Sequence, residues 1–278
     1  MNARKELYYT RSDLTRFHAY AFFMPLAIYG VLGLTVRYQL PWYVVLVLVG
    51  PALSRWSIAV HELFHLQPRP PIWIRALPLP FSPINGGWAE HRAEHMGHHR
   101  HTATPEDSEW WRIRGGRLRS FIACLFVFEG VAYHHLRANG WRMDGWWAFR
   151  ILLFCSVFYM AGSSAFSFWA GLRLAYALQD WAFNHLLHYQ HGEYGTFRMS
   201  FPAWLVGIGS FFYGSDTVNA TMDHDIHHQF PNVAAWNLAQ MRERVQRTSV
   251  RVNASPSRAP RVRTAVTQAG RFGRGGRA

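Results

Sequence analysis

The chain has 278 residues, 16% of them aromatic and 16% charged, with a net charge of +13. That length allows one substantial domain or two small ones, and richness in aromatics together with a charged fraction below the usual quarter or so points to a membrane protein. A mean hydropathy near zero excludes a chain buried mostly in lipid, so a few spans carrying a large polar part are expected.

The positive charge would suit nucleic acid only if Lys and Arg gathered on one basic face. An integral protein instead keeps them on the cytoplasmic side of its spans. Arg4, Lys5, Arg11 and Arg16 precede an apolar run, as in a signal peptide. The run is too long for an h-region and lacks a small-residue cleavage site, so it reads as a first span. Residues 17–36 carry no formal charge over twenty positions, about 30 Å of helix and so about one hydrocarbon thickness. Residues 42–60 stay apolar apart from Arg55 and run directly into HELFH. This gives a helical hairpin whose second arm returns its histidines to the side of the N-terminus. Residues 61–119 are polar, with eight arginines and scattered Pro and Gly, and are cytoplasmic by the positive-inside rule.

The crossings between this segment and the histidines near 224 must be even in number if those clusters are to meet. In the preferred arrangement residues 146–183 form a second hairpin turning at Gly162-Ser163-Ser164, and residues 118–136 lie along the interface as an amphipathic helix. In the other, 120–136 and 151–172 cross, which exports Arg137 and Arg142 and so goes against the positive-inside rule. The preferred arrangement places Arg173 and Asp180 in a long fourth helix, costing several kcal/mol unless they pair or face the interior. Residues 201–214 are apolar but too short to cross, and read as interfacial or re-entrant. From 248 onward the chain is rich in Arg and Gly without an apolar period, an expected disordered tail drawn to anionic lipid rather than to RNA. Cys124 and Cys155 sit in apolar stretches as small hydrophobes, and no disulfide is expected.

Half of the sixteen histidines fall in three blocks. His61 and His65 form HxxxH; His95, His98 and His99 form HxxHH; His224, His227 and His228 form a second HxxHH. Helix positions i, i+3 and i+4 share a face, so each block aims its imidazoles at one region. Eight ligands exceed the four of a zinc site and suit a pair of iron ions with positions open for substrate or dioxygen. HELFH also fits the HExxH of zinc proteases, with Glu62 as base. That reading leaves both HxxHH blocks unexplained, and the Asn, Pro and Asp-Gly motif of intramembrane zinc proteases is not found here. A non-enzymatic metal-binding or transport protein would hold its ligands near the bilayer midplane, whereas every block falls at or beyond a helix end. An RNA-binding protein leaves the apolar spans unexplained.

Three such blocks in this order resemble the membrane-bound fatty acid desaturases and alkane hydroxylases, over roughly residues 15–240. Box one is HELFH (61–65), box two HMGHH (95–99) and box three HDIHH (224–228). GHHRHTATPEDSE (97–109) is similar to the sequence after box two in the hydroxylases, and HHQFPNVAAWNL (227–238) to the segment after box three in the desaturases. NHLLHY (184–189) matches the spacing of the family's additional metal site, which implies His188 as a ninth ligand and Asn184 near the metal, behind a ligand or through a water.

The resemblance implies an all-α integral membrane protein, multi-pass, with about four transmembrane helices in two hairpins under a cytoplasmic histidine-rich cap. Residues 1–247 would form the membrane-embedded di-iron oxygenase domain and 248–278 the tail. The implied ligands are His61, His65, His95, His98, His99, His188, His224, His227 and His228, holding two iron ions, with dioxygen as co-substrate. Such a site oxidises an unactivated C–H bond of an alkyl or fatty-acyl chain. Desaturation is favoured by the segment after box three; hydroxylation at the same site is the alternative, favoured by the flank of box two. The substrate tunnel is expected from the four membrane helices and the segments around Trp88, Trp181 and Phe211. The chain has no cysteine pattern for an iron–sulfur cluster, no dinucleotide fingerprint and no His-Pro-Gly-Gly haem motif. Electrons are therefore expected from an external carrier such as ferredoxin, drawn to an arginine-rich face. Membrane lipid is an expected partner and nucleic acid is not.

The other histidines receive plainer readings. His91 is expected at the surface or behind a ligand, His101 in water, and His134 and His135 at the interface; register prefers His188 to His185 and His191. Asp223 and Asp225 either hydrogen-bond ligand imidazoles, fixing their tautomers, or sit in solvent.

Overall fold

The first helix, α1 (Arg11–Tyr38), begins at a capping box in which Thr10 Oγ1 accepts from the Asp13 amide at 3.2 Å and Asp13 Oδ2 accepts from the Thr10 amide at 2.6 Å. It ends where Gln39 turns left-handed (φ 54°), and Pro41 opens α2 (Trp42–Leu66). In the computed structural model, residues 7–81, 87–138, 140–143 and 145–254 are described, and the chain divides into a body, Met1–Glu243, and a C-terminal piece, Arg244–Ala278. Among the described residues, α1 and α2 are the two helices long and apolar enough to cross a membrane.

A run of short elements follows: α3 (Ile72–Ala76), α4 (Trp88–His101), α5 (Trp110–Ile113), α6 (Arg117–Leu125) and α7 (Val127–Ala138). The expected interfacial helix over 118–136 is thus two pieces meeting at Phe126, neither of them long enough to span. Helices α8 (Gly145–Ala161) and α9 (Ser164–Trp181) then form a hairpin about Gly162, whose φ of 59° suits glycine. That turn lies where the sequence placed it.

Helix α9 lies against both α1 and α2, and the main core is their shared seam: Ile28 and Val31 from α1, Val45, Val49, Leu53 and Trp56 from α2, Phe168, Leu172 and Ala175 from α9. The helices come close at Gly171, where a Cβ would meet the Trp42 carbonyl oxygen at 2.6 Å and Val45 Cβ at 2.8 Å. The charges within α9 are paired, as burial requires. Arg173 bonds Glu129 and donates to the Leu125 carbonyl at 2.8 Å, while Asp180 accepts from Arg112 at 2.5 Å.

After α9 the chain makes one π-helical turn, Ala182–Leu186, and a two-residue hairpin of β1 (Tyr189–Gln190) and β2 (Glu193–Tyr194). Helix α10 (Ala203–Tyr213) buries none of its residues and exposes Trp204, Phe211 and Phe212, in keeping with the short apolar piece expected there. Helices α11 (Ser215–Met222) and α12 (His224–Gln229), a 3-10 turn at Ala235–Asn237 and α13 (Leu238–Ala254) complete the described chain. The expected Arg/Gly tail falls mainly on 255–278, outside the described residues; α13 itself extends to Ala254.

Candidate metal centre

Each histidine block is set by a helix end. Helix α2 continues past its apolar stretch, so His61 and His65 occupy its last turns, one above the other. Its final carbonyls, which have no partner within the helix, are taken by side chains of α4: Arg92 Nε donates to Phe64 O at 2.7 Å and Trp88 Nε1 to Gln67 O at 2.9 Å. These bonds seat α4, with His95, His98 and His99, against the end of α2. Helix α12, at six residues too short to stand alone, is held by Arg242, which bonds both Asp223 and Asp225. Neither expectation for those two carboxylates holds, since they neither orient an imidazole nor sit free in solvent; they fasten box three to α13. The π turn rotates the chain beyond α9, and His188 follows directly.

All nine histidines converge, in two adjoining groups. The ligating atoms of His61, His65, His95, His99 and His227 lie within 4.8 Å of one another, and so do those of His98, His188, His224 and His228. In the first group the Nε2 atoms of His61 and His227 are 2.8 Å apart and those of His65 and His95 2.9 Å. In the second, His224 Nε2 lies 3.1 Å from His188 Nε2 and 3.0 Å from His228 Nε2. Nitrogens bound at about 2.1 Å to one ion sit about 3.0 Å apart at a right angle and about 3.4 Å at the tetrahedral angle. The short contacts are those of nitrogens that could share one ion in each group, and groups of five and four imidazoles suit iron better than two tetrahedral zinc sites. The groups touch, with the His99 and His228 rings stacked at 4.3 Å between centroids.

The outward nitrogens show which atoms face inward. His188 Nδ1 donates to the Gly195 carbonyl at 2.9 Å, and His98 Nδ1 to Asp107 Oδ2 at 2.8 Å. Thr102 spends its hydroxyl hydrogen on the His98 carbonyl at 2.7 Å, so toward His228 Nδ1, 3.0 Å away, it can only accept. In all three rings the proton is on Nδ1 and the Nε2 lone pair points into the group, the tautomer a metal needs. His99 is the complementary case: both ring nitrogens are buried without a hydrogen-bond partner, an arrangement a metal ion would satisfy. Burial, reinforced by neighbouring imidazoles, lowers His99 and His188 each to about 3, keeping them neutral. At His98 burial acts the same way, but the Glu109 and Asp107 carboxylates outweigh it and raise the ring's pKa.

Glu62 is fully buried, accepts from the Tyr9 hydroxyl at 2.5 Å and borders neither of the two cavities described below. It cannot serve as the base that an HExxH protease requires. Burial and then the Glu62 charge push the Tyr9 hydroxyl well above its ordinary pKa, so it remains a donor. Of the other histidines, none joins either group. His91 borders the larger cavity, His185 Nδ1 bonds the Ile113 carbonyl at 2.9 Å, and His101 and His191 are exposed. His134 lies beside Trp111 and His135 stacks on Trp147. Sequence reasoning missed Asp107, although it stands in the stretch likened to the hydroxylases; nothing in its spacing from His98 marks it as that ring's partner.

A cavity of about 590 Å³ runs from this centre between α2, α4, α7 and α9. Trp56, Val60, Phe64, Ile74, Leu79, Trp88, Val127 and Phe128 give it apolar walls, and His61 and His95 close one part of it. Trp88 and Asp180, next to Trp181, border it as expected, whereas the segment around Phe211 does not. A smaller cavity of about 140 Å³ is bordered by His61 and His95 of one group, His98 and His224 of the other, and Asn184.

A family model described as fatty acid desaturase matches residues 39–257. Comparison with curated proteins and comparison with solved structures gave no match.

Proposed function

The chain belongs to the fatty acid desaturase family, membrane-bound di-iron oxidoreductases, and from that premise we propose that it desaturates a fatty-acyl chain. The observation that carries this reading is the apolar cavity of about 590 Å³ ending on His61 and His95. The five-histidine and four-histidine groups would each hold one iron ion, with Asn184 beside the second. When bound there, two irons would supply the chemistry that activates dioxygen and removes hydrogen from an unactivated C–H bond.

The protein's own part is positional. The walls formed by Trp56, Phe64, Trp88 and Phe128 desolvate an alkyl chain and fix which carbon reaches the histidines. Hydrogen bonds from His98, His188 and His228 to Asp107, Gly195 and Thr102 hold the imidazoles in the metal-binding tautomer. Four spans in two hairpins, α1–α2 and α8–α9, would place the histidines on the cytoplasmic side, supported by the arginines of residues 61–119. Residues 1–247 would form the catalytic domain. Electrons would come from an external acidic carrier such as ferredoxin, for which exposed Arg114, Arg117 and Arg119 offer complementary charge.

Hydroxylation is the second reading, because the flank of box two that resembles the hydroxylases also contains Asp107. Membranes containing the protein, supplied with acyl and alkane substrates, a reductant system and isotopic dioxygen, decide between them by mass spectrometry. A product lacking two hydrogens supports desaturation, and labelled oxygen in the product supports the alternative. Turnover without oxygen, or a protein that purifies with exchangeable zinc and no iron, would sink both.

A further inference from the structure

The small cavity between the two histidine groups has a polar wall, Glu109, Arg112, Asp180 and Asn184, of which only Glu109 comes near an imidazole, 3.9 Å from His98 Nδ1. Asp180 Oδ1 accepts from Arg112 Nη1 at 2.5 Å, and Arg112 Nη2 reaches Glu109 Oε1 at 3.0 Å. Asn184 Nδ2 donates to Asp180 Oδ1 at 2.9 Å and to the Asp180 main-chain carbonyl at 3.1 Å. A carboxylate and a carbonyl can only accept, so they fix which way the Asn184 amide is turned. Its NH2 must face Asp180, and its carbonyl oxygen is left for the cavity that His98 and His224 also border. Asn184 stands four residues before His188, a member of the group with four imidazoles rather than five.

We infer that Asp180 and Arg112 are positioning residues: their ion pair locks the Asn184 amide with its carbonyl oxygen toward the four-histidine group. This rests on the reading that the two groups hold iron. The pair belongs to no histidine box, and its members are far apart in sequence. It also stands where the two cavities meet, since Glu109, Arg112 and Asp180 border both. Asp180→Asn weakens the lock in a specific way, because an amide at 180 can donate to Asn184 and so favour the turned-over side chain, leaving only the main-chain carbonyl of residue 180 to oppose it.

The test is Mössbauer spectroscopy of the 57Fe-enriched, detergent-purified protein with parallel turnover measurements. Asn184→Ala, Asp180→Asn and the double variant should each retain two irons and shift the signal of the same single iron. Turnover should fall about tenfold in each single variant, with no further loss in the double, because Asp180 acts through Asn184. Arg112→Gln, which leaves the Asp180 carboxylate in place, should shift the same signal more weakly, and Arg112→Lys should restore part of it. The inference is overturned if Asp180→Asn and Arg112→Gln match the parent spectrum while Asn184→Ala does not. Multiplicative losses in the double variant would overturn it equally. A parent protein without iron overturns the proposed function as well, and that is read from the parent alone.

Discussion

Asp107 offers the sharpest test of the metal centre, since three N–H groups converge on its two oxygens. His98 Nδ1 and the Ala103 amide donate to Oδ2, and the Glu109 amide to Oδ1, each at 2.8 Å. In Asp107→Asn one oxygen becomes an NH2, and whichever way that amide turns it meets at least one of these donors. The alternative is for His98 to move its proton to Nε2, which blocks the atom facing the four-histidine group. Loss of such a partner typically weakens metal binding about 10- to 100-fold, or about 1.4 to 2.8 kcal/mol at 1.4 kcal/mol per tenfold. The five-histidine group contains no residue that Asp107 bonds, so its metal should be spared. The assay is iron retained per chain after dialysis of the purified protein against graded chelator. Asp107→Asn should release one iron at chelator concentrations about 10 to 100 times lower than the parent requires, and keep the other. Release of both irons together, or of neither earlier than the parent, would refute the role assigned to Asp107.

The adjacent residues His98 and His99 belong to different groups, so His98→Ala and His99→Ala should each deplete a different iron, distinguishable by Mössbauer spectroscopy. Gly171→Ala would ordinarily gain about 1 kcal/mol of helix propensity. Here the approach of Trp42 and Val45 makes overpacking, at about 1 to 3 kcal/mol, the larger effect, and the melting temperature in micelles should fall. Val131→Phe narrows the larger cavity and should shift product toward shorter chains, at about 0.8 kcal/mol for each methylene no longer buried, read by competition between acyl chains of different length. His99 and His188 stay neutral in the fold down to about 3, against an ordinary 6.5. The unfolded chain therefore takes up protons first, and stability present above about pH 6.5 should be lost as pH falls toward 3; an acid titration followed by circular dichroism should show that sign.

What the sequence revealed was what depends on neighbours along the chain. The i, i+3 and i+4 spacing of box two needs only a helix to bring its rings together, and the uncharged stretch over 17–36 needs only a bilayer. Gly162 could be read as a turn because it interrupts an apolar pattern that continues on both sides. The supporting contacts were hidden because they join distant positions: Tyr9 to Glu62 across 53 residues and Arg112 to Asp180 across 68. Hydrophobic periodicity carries no information about such pairs. Asp223 and Asp225 illustrate the limit, because their closeness to box three suggested histidine partners while Arg242, from another helix, holds both. The π turn at Ala182–Leu186 escaped for another reason. It adds one residue to a turn without disturbing composition, yet it alters which side chains after α9 share a face.

The two groups also give a physical reason for the different shapes of the boxes. A helix advances about 100° per residue, so i and i+4 nearly eclipse, while i+3 falls about 60° to the side. Box two sends its i, i+4 pair, His95 and His99, to the five-histidine group and its i+3 residue, His98, to the other. Box three does the reverse, with His224 and His228 in the four-histidine group and His227 in the first. Box one, HxxxH, has no i+3 histidine and contributes to one group alone. The middle histidine of HxxHH is therefore the residue that reaches across. Two helices each divided in this way, in opposite senses, require the two groups to lie side by side, as the stacked rings of His99 and His228 show. A protein built to hold a single ion would have no use for that reciprocal division, and this is the strongest reason to read the centre as a pair.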